Sequence, residues 1–135
     1  MHAVPCVGDA DYLLAQMQRL DAASGGVGRL PCVLPPPSPV PCGSPNIELL
    51  EHWRESARGG CLLDLLYGPV AWSAMAARRW ERGSELLYVN TGVHEGLASQ
   101  LRRYARAGLL QSGEDVQLTL RAAMRESMAA AERLQ

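Results

Sequence analysis

Two residues at the ends of apolar runs carry side chains able to act on a small ligand: Tyr67, followed by Gly68-Pro69, and Thr91, within Asn90-Thr91-Gly92. A phenol at such a place serves as a general acid or base, and a hydroxyl beside a helix start orients a ring or an anion. From local pattern alone the plainer role is the stronger reading: Tyr67 as a packing residue with a hydrogen-bonded tip, Thr91 as a helix cap. The other chemistry-bearing types are scattered. Cys6, Cys32, Cys42 and Cys61 form no C-x-x-C pair, which argues against a zinc ribbon or a thioredoxin-type dithiol. His2, His52 and His94 fall in three different segments, so no metal site is expected.

All thirteen basic residues are Arg, and Lys is absent. No side-chain amine is therefore present to form an imine with a carbonyl substrate or with pyridoxal phosphate. Fourteen acidic residues leave a net charge of −1, which argues against a nucleic-acid or anionic-membrane partner held by bulk electrostatics. With 135 residues, 47% of them hydrophobic, the chain has the profile of one globular domain with a real core, too small to enclose a large cofactor between two domains. Met1-His2-Ala3-Val4-Pro5 has neither a basic n-region nor a long apolar stretch, and no run is long enough to span a bilayer; an intracellular, cytoplasmic protein is expected.

The elements that must position Tyr67 and Thr91 follow from periodicity. His2 to Cys6 reads as a short strand, and Gly8-Asp9 as a turn and N-cap. Tyr12, Leu13, Leu14, Met17 and Leu20 recur at helical spacing as one buried face until Ser24-Gly25-Gly26. Between residues 25 and 45, seven prolines from Pro31 to Pro45 remove backbone donors and predict a loop or polyproline-II connector. Ser44-Pro45 opens a second helix that runs through Ile47, Leu50 and Trp53 to Gly59-Gly60. Cys61 to Tyr67 reads as a buried parallel strand, Ala71 to Glu81 as a third helix, Glu85 to Asn90 as a further strand, and Leu97, Leu101, Tyr104 and Leu109 as a long helix. This alternation predicts an α/β fold with a partial parallel sheet and flanking helices. Past Gly113, Leu120, Met124, Met128 and Ala131 share one face of a tail helix, expected to dock on the surface, with dimerisation as the alternative. Ligands of such a sheet bind beyond the carboxyl ends of its strands, where Tyr67 and Thr91 fall.

The segment Gly60-Cys61-Leu62-Leu63-Asp64-Leu65-Leu66-Tyr67-Gly68-Pro69-Val70-Ala71 resembles, without a gap, the G-x-x-L-D-P-V-Y-x-G-K-A stretch of the D-cysteine desulfhydrase and 1-aminocyclopropane-1-carboxylate (ACC) deaminase family. Gly83 to Gly92 is similar to its G-x-x-x-L-[FY]-x-H-[TL]-G-G stretch, and Val4 with Gly8 to Tyr12 to its strand and D-D-x-x-Y helix start. Glu48-Leu49-Leu50 falls on that family's next helix, so order and spacing agree over most of residues 1–110. The chain departs from the pattern at Gly68 (Ser, Thr or Glu in the family), Pro69 (Gly), Val70 (Lys), Asn90 (His) and Val93 (the second Gly), and its helix between Tyr67 and Asn90 is shorter by about one turn. A rival register matches Gly68-Pro69-Val70 to D-P-V and puts Ala71 at the tyrosine position; the ungapped one keeps Gly60, Leu63, Asp64, Tyr67 and Ala71 together.

The resemblance implies a tryptophan-synthase-β-like fold, of which residues 1–112 would be the C-terminal part and residues 113–135 a helical tail. It implies a pyridoxal-phosphate lyase that breaks D-cysteine into pyruvate, sulfide and ammonia, or opens and deaminates the cyclopropane amino acid. Tyr67 would match the active-site tyrosine. Thr91, with Gly92, would match the threonine near the cofactor's pyridine nitrogen, and Thr rather than Leu leans toward the desulfhydrases. The family's Schiff-base lysine and Gly-rich phosphate loop have no counterpart here, so no covalent cofactor attachment and no activity of the chain by itself are expected. The alternative is a non-enzymatic interaction protein that keeps the half-sheet as a scaffold and uses the Pro-rich loop or the tail helix as its contact. In either case the exposed edge of a half-sheet is a template for pairing with a second copy.

Overall fold

The computed structural model describes residues 1–92, 94–110 and 116–133; Val93 and the 112/113 boundary of the helical tail lie outside them. The described elements are β1 (His2–Ala3), α1 (Ala10–Ala23), β2 (Cys32–Val33), α2 (Ile47–Arg58), α3 (Gly68–Ala77), a 3-10 turn at His94–Gly96, α4 (Leu97–Arg106) and α5 (Val116–Glu132). Among the described residues the architecture is α/β but mostly helical, with one parallel pair of two-residue strands. Among the described residues, no helix is long and apolar enough to cross a membrane.

Asp9 starts α1 as its sequence position predicts, its Oδ1 accepting the Tyr12 amide at 2.8 Å, and Ser24 closes the helix by donating its hydroxyl to the Leu20 carbonyl. The strand that α1 leads into lies inside the Pro-rich stretch, where a connector was expected. Cys32 and Val33 pair with His2 and Ala3, and Leu34 donates its amide to Ala3. Pairing is possible between these prolines because β2 sits at an edge, where only a few donors are needed. So small a sheet cannot cover α1. Leu13 and Met17 are half-buried, Tyr12, Leu14 and Leu20 are exposed, and no residue of α1 is fully buried, which corrects the single buried face expected for it.

The core lies elsewhere, in a helix-on-helix layer built around α2. Leu50 and Trp53 of α2, Leu63, and Leu97, Leu101 and Tyr104 of α4 are all but inaccessible to solvent. Asn46, rather than Ser44-Pro45, caps α2: its Oδ1 accepts the amides of Glu48 and Leu49. Helix α4 ends at Arg106, before Leu109. Helix α5 docks on α2 and α4. It does so through the buried Thr119, Ala123 and Ala130 and the half-buried Val116 and Leu120, while Met124 and Met128 of the expected face are exposed. The approach is closest near the end of α5: Gly60, at φ +89°, lies so near it that a Cβ there would stand 3.2 Å from the Ala131 nitrogen and 3.4 Å from the Ala130 Cβ.

The two runs expected to be strands, 61–67 and 85–90, are not strands and pair with none among the described residues. A short apolar run bounded by glycines is compatible with several buried conformations, and here side chains take the place of a ladder. The carbonyl of Leu62 accepts from Asn90 Nδ2 (3.1 Å), and that of Leu63 from the buried Trp53 Nε1 (2.9 Å). The Cys61 amide closes onto the Ser56 carbonyl. Helix α3 consequently begins at Gly68, three residues before Ala71, with Pro69 in its first turn, and ends at Ala77 instead of Glu81.

Candidate functional site

Asp64 organises the start of α3. Its Oδ1 accepts the amides of Leu66 (2.8 Å) and Tyr67 (2.6 Å), and its Oδ2 accepts that of Gly68 (2.9 Å). Tyr67 occupies the N-cap position but makes no side-chain cap bond, so a carboxylate earlier in the chain supplies the acceptors that the helix start requires. Gly92 packs directly on this carboxylate: a Cβ at position 92 would lie 2.6 Å from Asp64 Oδ2. Asn90 holds the approaching chain, donating to Leu62 and accepting the Gly92 amide at 3.2 Å.

Beside this arrangement opens a cleft of about 750 Å³, bounded by β1, the 85–92 segment and the start of α3. Tyr67, Thr91 and Gly92, all singled out from the sequence, line it together. Tyr67 is 46% exposed, and neither its phenol nor the Thr91 hydroxyl hydrogen-bonds another described residue. Thr91 does not cap a helix, since α4 starts only at Leu97 behind Gly96. The phenol and the hydroxyl are thus free to meet a ligand.

Three further lining residues were not legible as site residues: Asp64, Tyr88 and Cys6. An aspartate three residues ahead of Tyr67-Gly68-Pro69 is a helix-start signal that the strand reading of 61–67 obscures. Tyr88 stacks edge-on against Trp72, with centroids 5.6 Å apart, and its hydroxyl lies 3.5 Å from the Gly68 carbonyl. Burial, reinforced by the nearby Asp64 charge, pushes its phenol up to about 12. The Cys6 thiol points at the Tyr67 carbonyl (3.7 Å); burial first, then Asp64 and Cys42, push it up to about 11. Both groups hold their protons at neutral pH. Trp80, beneath Arg78 at 4.8 Å and edge-on to His2, closes the far side of the cleft.

The residues of this chain do not by themselves fit pyridoxal phosphate. Its aldehyde has no lysine to meet anywhere in the sequence. Its phosphate would need free amides or cations, but the amides opening α3 already bind Asp64, and the described lining carries the carboxylates of Asp64 and Glu85 and no arginine. Among the described residues no group of three or more His, Cys, Asp or Glu converges on a point that could hold a metal ion. Comparison of the chain with models of known families, with curated proteins and with solved structures finds no match in any of the three.

Proposed function

We propose that this chain is the C-terminal part of a lyase resembling the D-cysteine desulfhydrases and ACC deaminases, and that alone it forms one wall of a site without catalytic activity. The observation that carries this reading is that Tyr67, Thr91 and Gly92, which the resemblance assigns to such a site from two separate motifs, line one cleft in a chain without lysine. The exposed apolar face of α1 and the unpaired 85–90 run agree with it, because both are surfaces that a larger α/β domain covers. In the complete site Tyr67 would handle a proton or the leaving group, and Thr91 would face the cofactor's ring. The lysine and the phosphate loop would come from the part that the resemblance puts upstream.

Two measurements test this. Pyridoxal phosphate mixed with the purified chain should leave no cofactor absorbance in the protein peak on gel filtration, and D-cysteine should yield no sulfide. Sulfide release at an enzymatic rate by the chain alone overturns the assignment. Transcript sequencing should extend the reading frame upstream into a lysine-bearing α/β segment, and an in-frame stop immediately before Met1 refutes the partial-lyase reading.

A further inference from the structure

A second cavity, of about 550 Å³, lies between the β1–α1 turn and the Pro-rich loop, and both Cys6 and Cys42 line it. The segments that carry them both approach the start of α3. Cys6 Sγ lies 3.7 Å from the carbonyl of Tyr67, while Gly43, next to Cys42, approaches the adjoining Leu66 so closely that a Cβ there would stand 3.2 Å from Leu66 Cδ1. The turn that carries Cys42 is itself closed, Ser44 donating its amide to the Pro41 carbonyl at 2.9 Å. Cys32 and Cys61 line neither cavity, and all four cysteines are free thiols.

We infer that Cys6 and Cys42 form a redox-active pair that closes into an intramolecular disulfide on exposure to a hydroperoxide. The chemistry divides between them by exposure. Cys42 is exposed and Cys6 is half-buried, so Cys42 loses its proton and attacks the peroxide as the thiolate; the O–O bond breaks, one oxygen stays on sulfur as a sulfenic acid, and the hydroxide released from hydrogen peroxide takes up the thiol's proton to leave as water. The Cys6 sulfur then attacks the Cys42 sulfur. An S–S bond forms, the S–O bond breaks, and the hydroxyl leaves as a second water with the Cys6 proton. Two thiols are oxidised and one peroxide is reduced. Burial first, then Asp64 and Cys42, raise the Cys6 thiol, in keeping with the cavity that the two cysteines share. Because Cys6 also lines the cleft of Tyr67, the bond removes the thiol donor facing the Tyr67 carbonyl and ties the Pro-rich loop to the edge of the candidate site.

The test treats the full chain with hydrogen peroxide, blocks remaining thiols and digests with trypsin without reduction. The expected product is a loss of two hydrogens and a cross-link between residues 1–19 and 30–54. The second peptide holds both Cys32 and Cys42, so variants assign the bond: Cys32→Ser and Cys61→Ser should keep the cross-link, and Cys6→Ser and Cys42→Ser should abolish it. Repeating the oxidation in concentrated urea should remove the preference for this pair. A cross-link that survives Cys42→Ser, a preference unchanged in urea, or oxygen addition without any cross-link overturns the inference.

Discussion

A single carboxylate does the structural work at the candidate site, and its role is measurable. Asp64 accepts three amides at the start of α3 and receives Gly92 against the same oxygen that binds Gly68. Asp64→Ala should cost about 2 kcal/mol, the upper end of the range for losing a helix cap, read as a shift of the urea unfolding midpoint. Gly92→Ala should cost about 1–3 kcal/mol, because its methyl group has no room beside Oδ2. The two losses should not add: with the carboxylate gone, the methyl has space, and the coupling should reach about 1 kcal/mol in a double-mutant cycle. Strict additivity would mean that Gly92 is bare for another reason, such as the approach of a ligand. Tyr67 and Thr91 were legible at this scale because the turn chemistry of Gly68-Pro69 and Asn90-Gly92 marks places where the chain changes direction, whatever precedes it. Asp64 was not, since an aspartate within an apolar run gives no sign that its own chain folds back onto it.

Helices were legible where caps and spacing agreed, as at Asp9 and Ser24; of the strands only the first was, read over His2 to Cys6 and found at His2–Ala3. Cys61 to Tyr67 has the composition of a buried strand, but its backbone partners are side chains distant in sequence, Trp53 and Asn90, which no local pattern announces. Conversely, Cys32-Val33 pairs in a stretch whose prolines argue for a loop, because two residues at an edge need so few donors. Helix α5 shows how hydrophobicity misdirects when packing is close. The spacing of Leu120, Met124 and Met128 selects one face, yet of these three only Leu120 packs on the core, beside the buried Thr119, Ala123 and Ala130, and Ala130 lies directly against Gly60. Met124→Gln and Met128→Gln should therefore change stability by no more than about 0.5 kcal/mol, whereas Ala123→Leu should cost about 1–3 kcal/mol by overpacking. Thermal unfolding of the three variants decides between the faces: a large loss from the methionine variants with a neutral Ala123→Leu would restore the face that the spacing selects.

In the whole molecule, the N-terminal β1–α1–β2 unit leans against a helical core, and its seam carries groups whose ionisation opposes the contact. Cys6 reaches across to Tyr67, and Tyr88 packs beside both Asp64 and the cleft. Burial, then the Asp64 charge, raises the Cys6 thiol from 9.0 to about 11 and the Tyr88 phenol from 10.0 to about 12. Burial moves Cys61 and Tyr104 in the same direction. Each group holds its proton more tightly folded than unfolded, so its contribution is fully present below the unfolded value and is lost as pH rises through the folded one. Stability should therefore be level with respect to these groups up to about pH 9 and fall between about pH 9 and 12, with Cys6 acting first and Tyr88 from about pH 10. Urea unfolding midpoints across pH 8 to 11 in reducing buffer, where no disulfide forms, should show that decline. In Cys6→Ala its onset should weaken, because the protein then no longer has to keep that thiol neutral against Tyr67 to stay folded. A midpoint level to pH 11 in the parent chain would mean that the N-terminal unit does not rest on the core through Cys6.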